Sequence, residues 1–231
     1  FAGTVAGTSF NGIPFFSDAA NNSMYTHNVS ATDSTAQNNT AYGFSTLQAI
    51  TSGDNNTTIG RNAGGSLNTG NNNAILGSFA GDALTGGANN VAIGFAALSA
   101  ETTGSQSVAV GHQALLVQEV QGDAYNVAVG FEAGKAITTG IKNTALGART
   151  LQANTVGADN VAIGYQALFT NVDGSRSIAI GTNALLAQEP ASATEMYNVA
   201  IGHNAGAAVT TGTENTLIGG LAGDALTEGD K

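Results

Sequence analysis

Carboxylates and histidines are the side chains of this sequence that could perform acid–base or metal chemistry. The carboxylates are scattered along the chain, as Asp82, Asp123, Glu132, Asp159 and Asp173 illustrate. Glycoside hydrolysis needs two carboxylates held roughly 5 to 10 Å apart across a substrate, and because these residues occupy different positions of the repeat, the sequence does not place such a pair. We interpret them as solvated charges and predict a protein that is not an enzyme and has no cofactor. An acid pair shared between neighbouring chains is the enzymatic alternative.

Motifs for nucleophilic, phosphate and zinc chemistry are missing from the sequence. There is no Gly-x-Ser-x-Gly elbow, no phosphate-binding loop and no His-Glu-x-x-His motif. The chain also has no Cys, which excludes disulfides, zinc ribbons and thiol catalysis. Catalysis by the common motif-bearing mechanisms is therefore not expected.

Composition excludes several broad classes of protein. Gly accounts for 32 of the 231 residues, about twice its usual share, and Gly weakens helix interiors. The 16 acidic and 6 basic residues give a formal charge of -10, which repels nucleic acid and anionic lipid surfaces. No apolar run approaches the roughly 18 residues that a membrane helix needs. We expect no helical bundle, no nucleic-acid partner and no insertion into a membrane.

An internal repeat runs along nearly the whole chain. A phrase similar to Asn-Val-Ala-Ile-Gly recurs with a spacing of 17 residues, interrupted by one spacing of 19 and one of 21. Positions within a unit are numbered here from the Gly of this phrase, the anchor Gly at position 0. A 17-residue period is too short for a helix pair and suits one coil of a β-solenoid. The anchors are Gly43, Gly60, Gly77, Gly94, Gly111, Gly130, Gly147, Gly164, Gly181, Gly202 and Gly219.

Equivalent positions of successive units carry the same residue types. Position -4 is Asn or Ser, position -1 is nearly always Ile, Leu or Val, and position +3 is mostly Ala. Short apolar stretches bounded by Asn and Gly are typical of strands. We predict an all-β fold, a parallel β-solenoid (β-roll) of about eleven 17-residue coils over residues 38–231, with two or three short strands per coil. Coils about 4.8 Å apart give a rod about 50 Å long, with Asn side chains bonding from coil to coil.

Two kinds of coil occur along the repeat. One has Gly at position +4 and an aliphatic residue at +7, as in Gly81 and Leu84; the other has Leu at +4 and a polar residue at +7, as in Leu98 and Glu101. We predict a single core slot per coil that receives one aliphatic side chain from either position. Similar surroundings recur 70 residues apart, which indicates that a block of four coils was duplicated.

The strand at positions -3 to -1 is apolar on both faces, as in Val91-Ala92-Ile93 and Val161-Ala162-Ile163. Strands with this pattern are covered on both sides. Because one coil encloses only one face, we expect an obligate and most simply cyclic homo-oligomer, in which the small Ala face meets another chain.

The phrases Asn160-Val-Ala-Ile-Gly-Tyr-Gln-Ala-Leu168 and Asn143-Thr-Ala-Leu-Gly147 resemble the repeats of bacteriophage tail-fibre proteins. They are also similar to the coils in the heads of trimeric autotransporter adhesins. The resemblance covers about residues 38–231, and the 17-residue unit favours phage fibres because adhesin heads tend to have shorter coils. It implies a parallel β-roll homotrimer, intertwined or side by side, whose surface attaches to a cell.

Position +1 carries a row of ring-bearing side chains. Exposed rings would stack on sugars, whereas rings at a seam between subunits would serve packing. The binding candidates at this position are Phe95, His112, Phe131, Tyr165 and His203. His112 and His203 lie five coils apart, about 24 Å, so one chain cannot bring them to one metal ion and we expect no metal site.

Two insertions, residues 118–125 and 188–197, account for the spacings of 19 and 21. A rigid solenoid commonly presents binding residues on such loops, and neutral surface decoration is the alternative. The binding candidates in the loops are Gln118, Glu119, Gln121, Asp123, Tyr125, Glu189, Glu195 and Tyr197.

Residues 1–37 leave the repeat and are too apolar for a disordered tail. We predict a cap, or a joint to a preceding fibre segment. The N-terminal Phe and an incomplete twelfth unit at residues 229–231 suggest a piece of a longer rod. The apolar residues of this segment are Phe1, Phe10, Ile13, Phe15, Phe16, Met24 and Tyr25.

The expected function is that of a structural and adhesive segment of a phage tail fibre. Such a segment is extracellular, belongs to the virion, contacts other fibre or tail proteins, and binds a host receptor or polysaccharide. The alternatives are the head of a trimeric adhesin on a bacterial surface, a polysaccharide-cleaving tailspike, and an ice-binding solenoid. Ice binding would use the column of Thr69, Thr103, Thr139 and Thr211, which residues such as Val156 interrupt.

Overall fold

The computed structural model describes Phe16–Asp18, Ser23–Tyr25 and residues 35–229. Within these residues the protein is all-β and forms a parallel β-solenoid of about eleven coils. None of them forms a helix that could cross a membrane. The strands are β1 Phe16–Asp18, β2 Ser23–Tyr25, β3 Thr40–Tyr42, β4 Thr57–Ile59, β5 Ala74–Leu76, β6 Val91–Ile93, β7 Val108–Val110, β8 Val127–Val129, β9 Thr144–Leu146, β10 Val161–Ile163, β11 Gly174–Ser175, β12 Ile178–Ile180, β13 Thr194–Glu195, β14 Val199–Ile201 and β15 Thr216–Ile218.

One long sheet runs the length of the solenoid. From β2 onward its strands are parallel and pair in strict repeat register, so that Ala92 of β6 lies opposite Ala109 of β7. Each coil contributes one three-residue strand to this sheet, and among the described coils a second strand occurs only where β11 and β13 lie, so the prediction of two or three strands per coil is wrong for the other coils. The rest of the coil consists of turns whose backbone groups also bond to the next coil; for example, Leu98 N donates to Ala114 O (3.0 Å).

The anchor glycines permit this close stacking. Gly94 has a φ of +131°, a conformation that L side chains rarely adopt. A Cβ atom on Gly94 would also lie 2.4 Å from the carbonyl oxygen of Gly111 in the next coil. Gly therefore recurs because both the dihedral angle and the space exclude a side chain.

The central residue of each repeat strand, at position -2, points into the solenoid; it is Ala in eight of the eleven coils and Thr58, Ile75 or Leu217 in the others. Ala92 and Ala162 are fully buried, while the flanking residues at positions -3 and -1 point outward. The prediction that the small Ala face meets another chain is therefore wrong, because this face lines the chain's own core. In the strands with a central Ala, the outward face consists of larger side chains, whereas β5 places Ile75 inside and Ala74 outside.

Positions +4 and +7 both point into the core, which contradicts the prediction of a single slot. Leu47 and Ile50 occupy both positions of the first coil and are both fully buried. In coils with Leu at +4, the polar residue at +7 is buried as well, as Glu101 shows. The two kinds of coil therefore differ in whether position +7 contributes to an apolar or a polar interior.

The predicted ladder of Asn side chains at position -4 is confirmed. Asn73 Nδ2 donates to Gly87 O (2.9 Å), and Asn73 Oδ1 accepts the backbone N–H of Asn90 (3.0 Å). Each buried amide thus satisfies turn groups of its own coil and of the next. Ser107 interrupts the ladder, and there Gln118 replaces the missing amide by accepting from Asn126 Nδ2 (2.8 Å).

The sheet continues into the segment that precedes the repeat. Strand β2 pairs in parallel with β3, and β1 pairs antiparallel with β2. Tyr25 is buried against the first coil and Met24 is exposed. Of the other predicted cap residues, Phe16 begins β1. Phe1, Phe10, Ile13 and Phe15 lie outside the described residues.

Candidate functional site

The outward face of the long sheet is mostly apolar: position -1 is Ile, Leu or Val in every coil after the first, and position -3 is Val, Ile or Ala except at Thr40, Thr57, Thr144 and Thr216. We call positions -3 and -1 of the eleven coils the apolar face. At about 4.8 Å per coil it is about 50 Å long. Contiguous exposed apolar surface of this extent is rare on monomeric proteins and marks an interaction site. Its members that are at least 37% exposed include Ile59, Leu76, Val127, Leu146, Ile178, Ile201 and Ile218.

A row of stacked rings borders the apolar face, and we call Phe79, Phe95, His112 and Phe131 the aromatic ladder. The ring of His112 is nearly parallel to those of Phe95 and Phe131, with centroids 5.3 and 5.2 Å away. Phe79 meets Phe95 edge-on at 6.1 Å. Because parallel rings this close overlap in part, they cover part of each other's faces and offer less surface to a sugar than separate rings would.

An Arg lies at each end of the aromatic ladder. The guanidinium carbon of Arg61 is 5.1 Å from the centroid of Phe79, and that of Arg149 is 5.9 Å from the centroid of Phe131. Phe79 and Arg149 occupy position +2, and inspection of position +1 alone missed them. Inspection of position +2 in the coils that flank the three rings at +1 could have revealed them.

Tyr165 and His203, the other two candidates at position +1, are exposed and lie outside the aromatic ladder. Tyr165 is separated from Phe131 by a coil with Ala148 at the same position. Among the described residues, no group of three or more His, Asp or Glu could hold a metal ion.

The first insertion, residues 118–125, has a buried base. Gln118 is fully buried, so this binding candidate supports the loop and is not part of its surface. Its Nε2 donates to Ser107 Oγ (2.9 Å) and to Glu101 Oε2 (3.0 Å). Glu101 Oε2 also accepts the backbone N–H of Val120 (3.0 Å), which ties the loop to the core.

The tip of the first insertion is exposed and carries three acidic or phenolic candidates. Glu119 accepts from Thr102 Oγ1 (2.6 Å), and the hydroxyl of Tyr125 donates to Asp123 Oδ2 (3.2 Å). Gln121 is exposed. Backbone bonds from Ser105 N to Gly122 O (2.8 Å) and from Ala124 N to Ser105 O (3.0 Å) hold the tip in place.

The second insertion, residues 188–197, is held by a short extra sheet. Its strand β13 pairs in parallel with β11, and the fully buried side chain of Met196 fills the space beneath. Gln188 is again buried and donates from Nε2 to Asn171 Oδ1 (3.0 Å). Glu189 accepts the backbone N–H of Val172 (2.8 Å).

Arg176 organises the surface of the second insertion. Its Nη1 donates to the Tyr197 hydroxyl (2.6 Å) and lies 2.5 Å from Glu195 Oε1. The Tyr197 hydroxyl donates to Glu195 Oε2 (2.7 Å), and Asp159 lies 3.9 Å from Arg176 Nε. The hydrogen bond with Tyr197 and the charge of Glu195 raise the pKa of Arg176 above its usual value.

Glu132 is not the isolated solvated charge that its sequence context indicated. Its carboxylate lies 2.7 Å from Lys135 Nζ and 3.6 Å from Arg149 Nε, and it accepts from Gln152 Nε2 (2.6 Å). The hydrogen bond from Lys135 and the two positive charges lower the pKa of Glu132, against a smaller opposing effect of burial. Lys135 lies three residues away in the same coil, whereas Arg149 and Gln152 come from the next coil and become neighbours of Glu132 only through the repeat register.

Comparison with known proteins adds no family to these observations. No protein-family model, curated protein sequence or solved structure matches the chain.

Proposed function

We propose that this protein is a structural and adhesive rod, a homotrimeric fibre segment that holds attachment loops away from the particle or cell that carries it. The apolar face is the observation that supports the proposal. An outward row of Ile, Leu and Val about 50 Å long at position -1, beside a row of Val, Ile, Ala and Thr at position -3, is unfavourable in water, and a second copy of the same chain is the simplest surface that matches it in length and spacing. The number three comes from the resemblance to fibre and adhesin repeats.

A cyclic arrangement covers the apolar face of every chain at once. In a closed ring each chain presents one face to a neighbour and receives the neighbour's surface in return. The aromatic ladder borders this face, so it contributes rings to the same seam. Exposed columns on the remaining surface, and the tips of both insertions, stay accessible for attachment.

The phage tail fibre is our first choice of setting, with a virion location and a host receptor or polysaccharide as partner. The 17-residue unit supports this choice over the bacterial adhesin head. Both settings use the same rod, and both assign attachment to the surface left free by assembly.

The native mass of the purified chain tests the assembly. We expect about 69 kDa by light scattering, which is three chains of 22.9 kDa, with a β-rich circular dichroism spectrum. Leu146→Glu places a charge on the apolar face and should reduce the mass towards that of one chain. Val156→Glu is the matched control, because Val156 is similarly exposed but lies off the apolar face. A wild-type monomer would overturn the proposal.

Attachment is tested by shortening the two insertions to the ordinary 17-residue spacing, separately and together. If they carry the contact, binding of the trimeric rod to host cells should fall at least tenfold while the native mass is unchanged. Unaltered cell binding by the doubly shortened rod would remove the loops from the proposal.

A further inference from the structure

Both insertions end in the same short motif, an acid, a buried apolar residue and a Tyr. In the first it is Asp123-Ala124-Tyr125, and in the second Glu195-Met196-Tyr197. Both tyrosines have left-handed backbone angles, φ of 53° and 52°, and both are nearly half exposed. In each motif the Tyr hydroxyl donates to the acid two residues earlier, so the two motifs share one geometry.

The second motif already holds a guanidinium group. Arg176 lies on the preceding coil and contacts the Glu195 carboxylate and the Tyr197 hydroxyl. Its guanidinium carbon is also 5.6 Å from the centroid of the Tyr197 ring. A carboxylate and an aromatic face together are a favourable environment for this cation. The second motif therefore shows that this arrangement of an acid and a Tyr binds a guanidinium group.

The first motif lacks an internal cation of this kind. Gln106 stands 70 residues before Arg176, at the equivalent place on the preceding coil, and its side chain donates no hydrogen bond to Asp123 or Tyr125. Among the described residues, Lys142 on the following coil forms no ion pair with Asp123. The carboxylate and ring of the first motif are thus arranged as in the second, with a neutral residue where the guanidinium would be.

We propose that the Asp123–Tyr125 pair binds the guanidinium group of an arginine on a partner protein. The guanidinium would donate to the Asp123 carboxylate and the Tyr125 hydroxyl and lie over the ring, as Arg176 does in the second motif. The exposed carboxylate of Glu119 on the same loop and the net charge of -10 attract a basic partner. Backbone bonds already order the loop, so binding costs little conformational entropy.

This inference rests on the proposed function, because it assigns a ligand chemistry to one of its attachment loops. The test is an NMR titration of the assembled protein, labelled with 13C in its tyrosine rings, with the peptide acetyl-Gly-Arg-Gly-amide. We expect a saturable shift of the Tyr125 ring signal. The same peptide with citrulline, which is neutral and of the same shape, should need at least tenfold higher concentration. A lysine peptide should bind more weakly than the arginine peptide, because it lacks the planar fork.

A variant that fills the site from within gives the sharpest control. Gln106→Arg reproduces the second motif, so the Tyr125 signal should shift without peptide and lose its response to it. Asn55 occupies the same position of the repeat as Tyr125, four coils and about 19 Å from it. Asn55→Arg adds the same charge there and should leave the response of Tyr125 to the peptide unchanged. Asp123→Asn should weaken the response at least tenfold with the fold intact by circular dichroism.

Two results would overturn the inference: an equal response to the arginine and citrulline peptides, or a response that survives Gln106→Arg. An equal response to lysine would overturn the assignment to arginine. These failures are separate from failure of the proposed function, since native mass and cell binding are measured without the peptide.

Discussion

The two insertions emerge from equivalent coils 70 residues apart, but their bases are built differently. In the first, Glu101 collects the donors of the turn: its Oε1 accepts from Gly104 N (2.6 Å) and its Oε2 from Val120 N and Gln118 Nε2, both at 3.0 Å. In the second, Asn171 occupies the place of Glu101. The Asn171 side chain makes two hydrogen bonds: its Oδ1 accepts from Gln188 Nε2 (3.0 Å) and its Nδ2 donates to Gly174 O (2.9 Å).

The second insertion replaces the missing contacts with packing and pairing. Met196 is fully buried beneath the loop, whereas the first insertion has Ala124 in the corresponding motif. Strands β11 and β13 pair where the first insertion makes a single bridge between Ser105 and Asp123. The comparison shows that one repeat can support a longer loop through distributed contacts, or a shorter loop through one buried carboxylate.

Loss of the Glu101 carboxylate should have the largest effect on stability. Glu101→Leu leaves three buried N–H donors without an acceptor, and we expect a loss of about 3 kcal/mol of unfolding free energy. The equivalent Asn171→Leu should cost about 1 kcal/mol, because it leaves fewer groups unpaired. Urea unfolding of both variants measures the difference. Equal losses would contradict the view that the first loop depends on one side chain.

Removal of the Met196 side chain tests the packing of the second insertion. Met196→Ala should cost about 2 kcal/mol through the cavity beneath the loop. Amide hydrogen exchange should become faster in residues 188–197 and stay unchanged in residues 118–125. An effect spread over both loops would show that the two bases are coupled through the rod.

The cation-paired Glu132 provides a contrast with Glu101, which is bound by uncharged donors. Because the pKa of Glu132 is lowered in the folded state, its stabilising contribution is present above the unfolded pKa and is lost as the pH falls through the folded one. The stability difference between wild type and Glu132→Gln should therefore be larger at about pH 6 than at about pH 2.5. A stability difference that does not change with pH would mean that Lys135 and Arg149 stabilise Glu132 through packing and not through their charges.

The repeat period predicted the coils, the strand register and the Asn ladder because each depends on one residue type that recurs at one position. The direction of the strand faces was predicted incorrectly, since Val-Ala-Ile is apolar on both sides and only the curvature of the coil decides which side is internal. Ile75 and Ala92 occupy the same position of adjacent strands and are both buried, so the size of the residue at this position does not reveal which face is internal.

The surface was harder to predict than the core. Both loops were identified from their lengths, but the burial of Gln118 depends on Ser107 in the same coil, eleven residues earlier. The environment of Tyr197 depends on Arg176, which lies 21 residues before it and becomes adjacent only through the stacking of coils. Such contacts can be predicted when the coils are aligned without the inserted residues, so that residues of neighbouring coils are compared. Comparison of the residue types at a single repeat position does not reveal them.

Exchange of the residues that distinguish the two motifs is the last and smallest perturbation. Arg176→Gln converts the second motif into the first, and because the guanidinium is exposed we expect almost no change in the melting temperature. The Tyr197 ring signal should instead become responsive to acetyl-Gly-Arg-Gly-amide, as Tyr125 is in the wild type. Since Glu195 reaches one methylene further than Asp123, the new site should accept the peptide with a somewhat different affinity. A Tyr197 signal that stays unresponsive would show that the two motifs share a residue pattern without sharing a ligand.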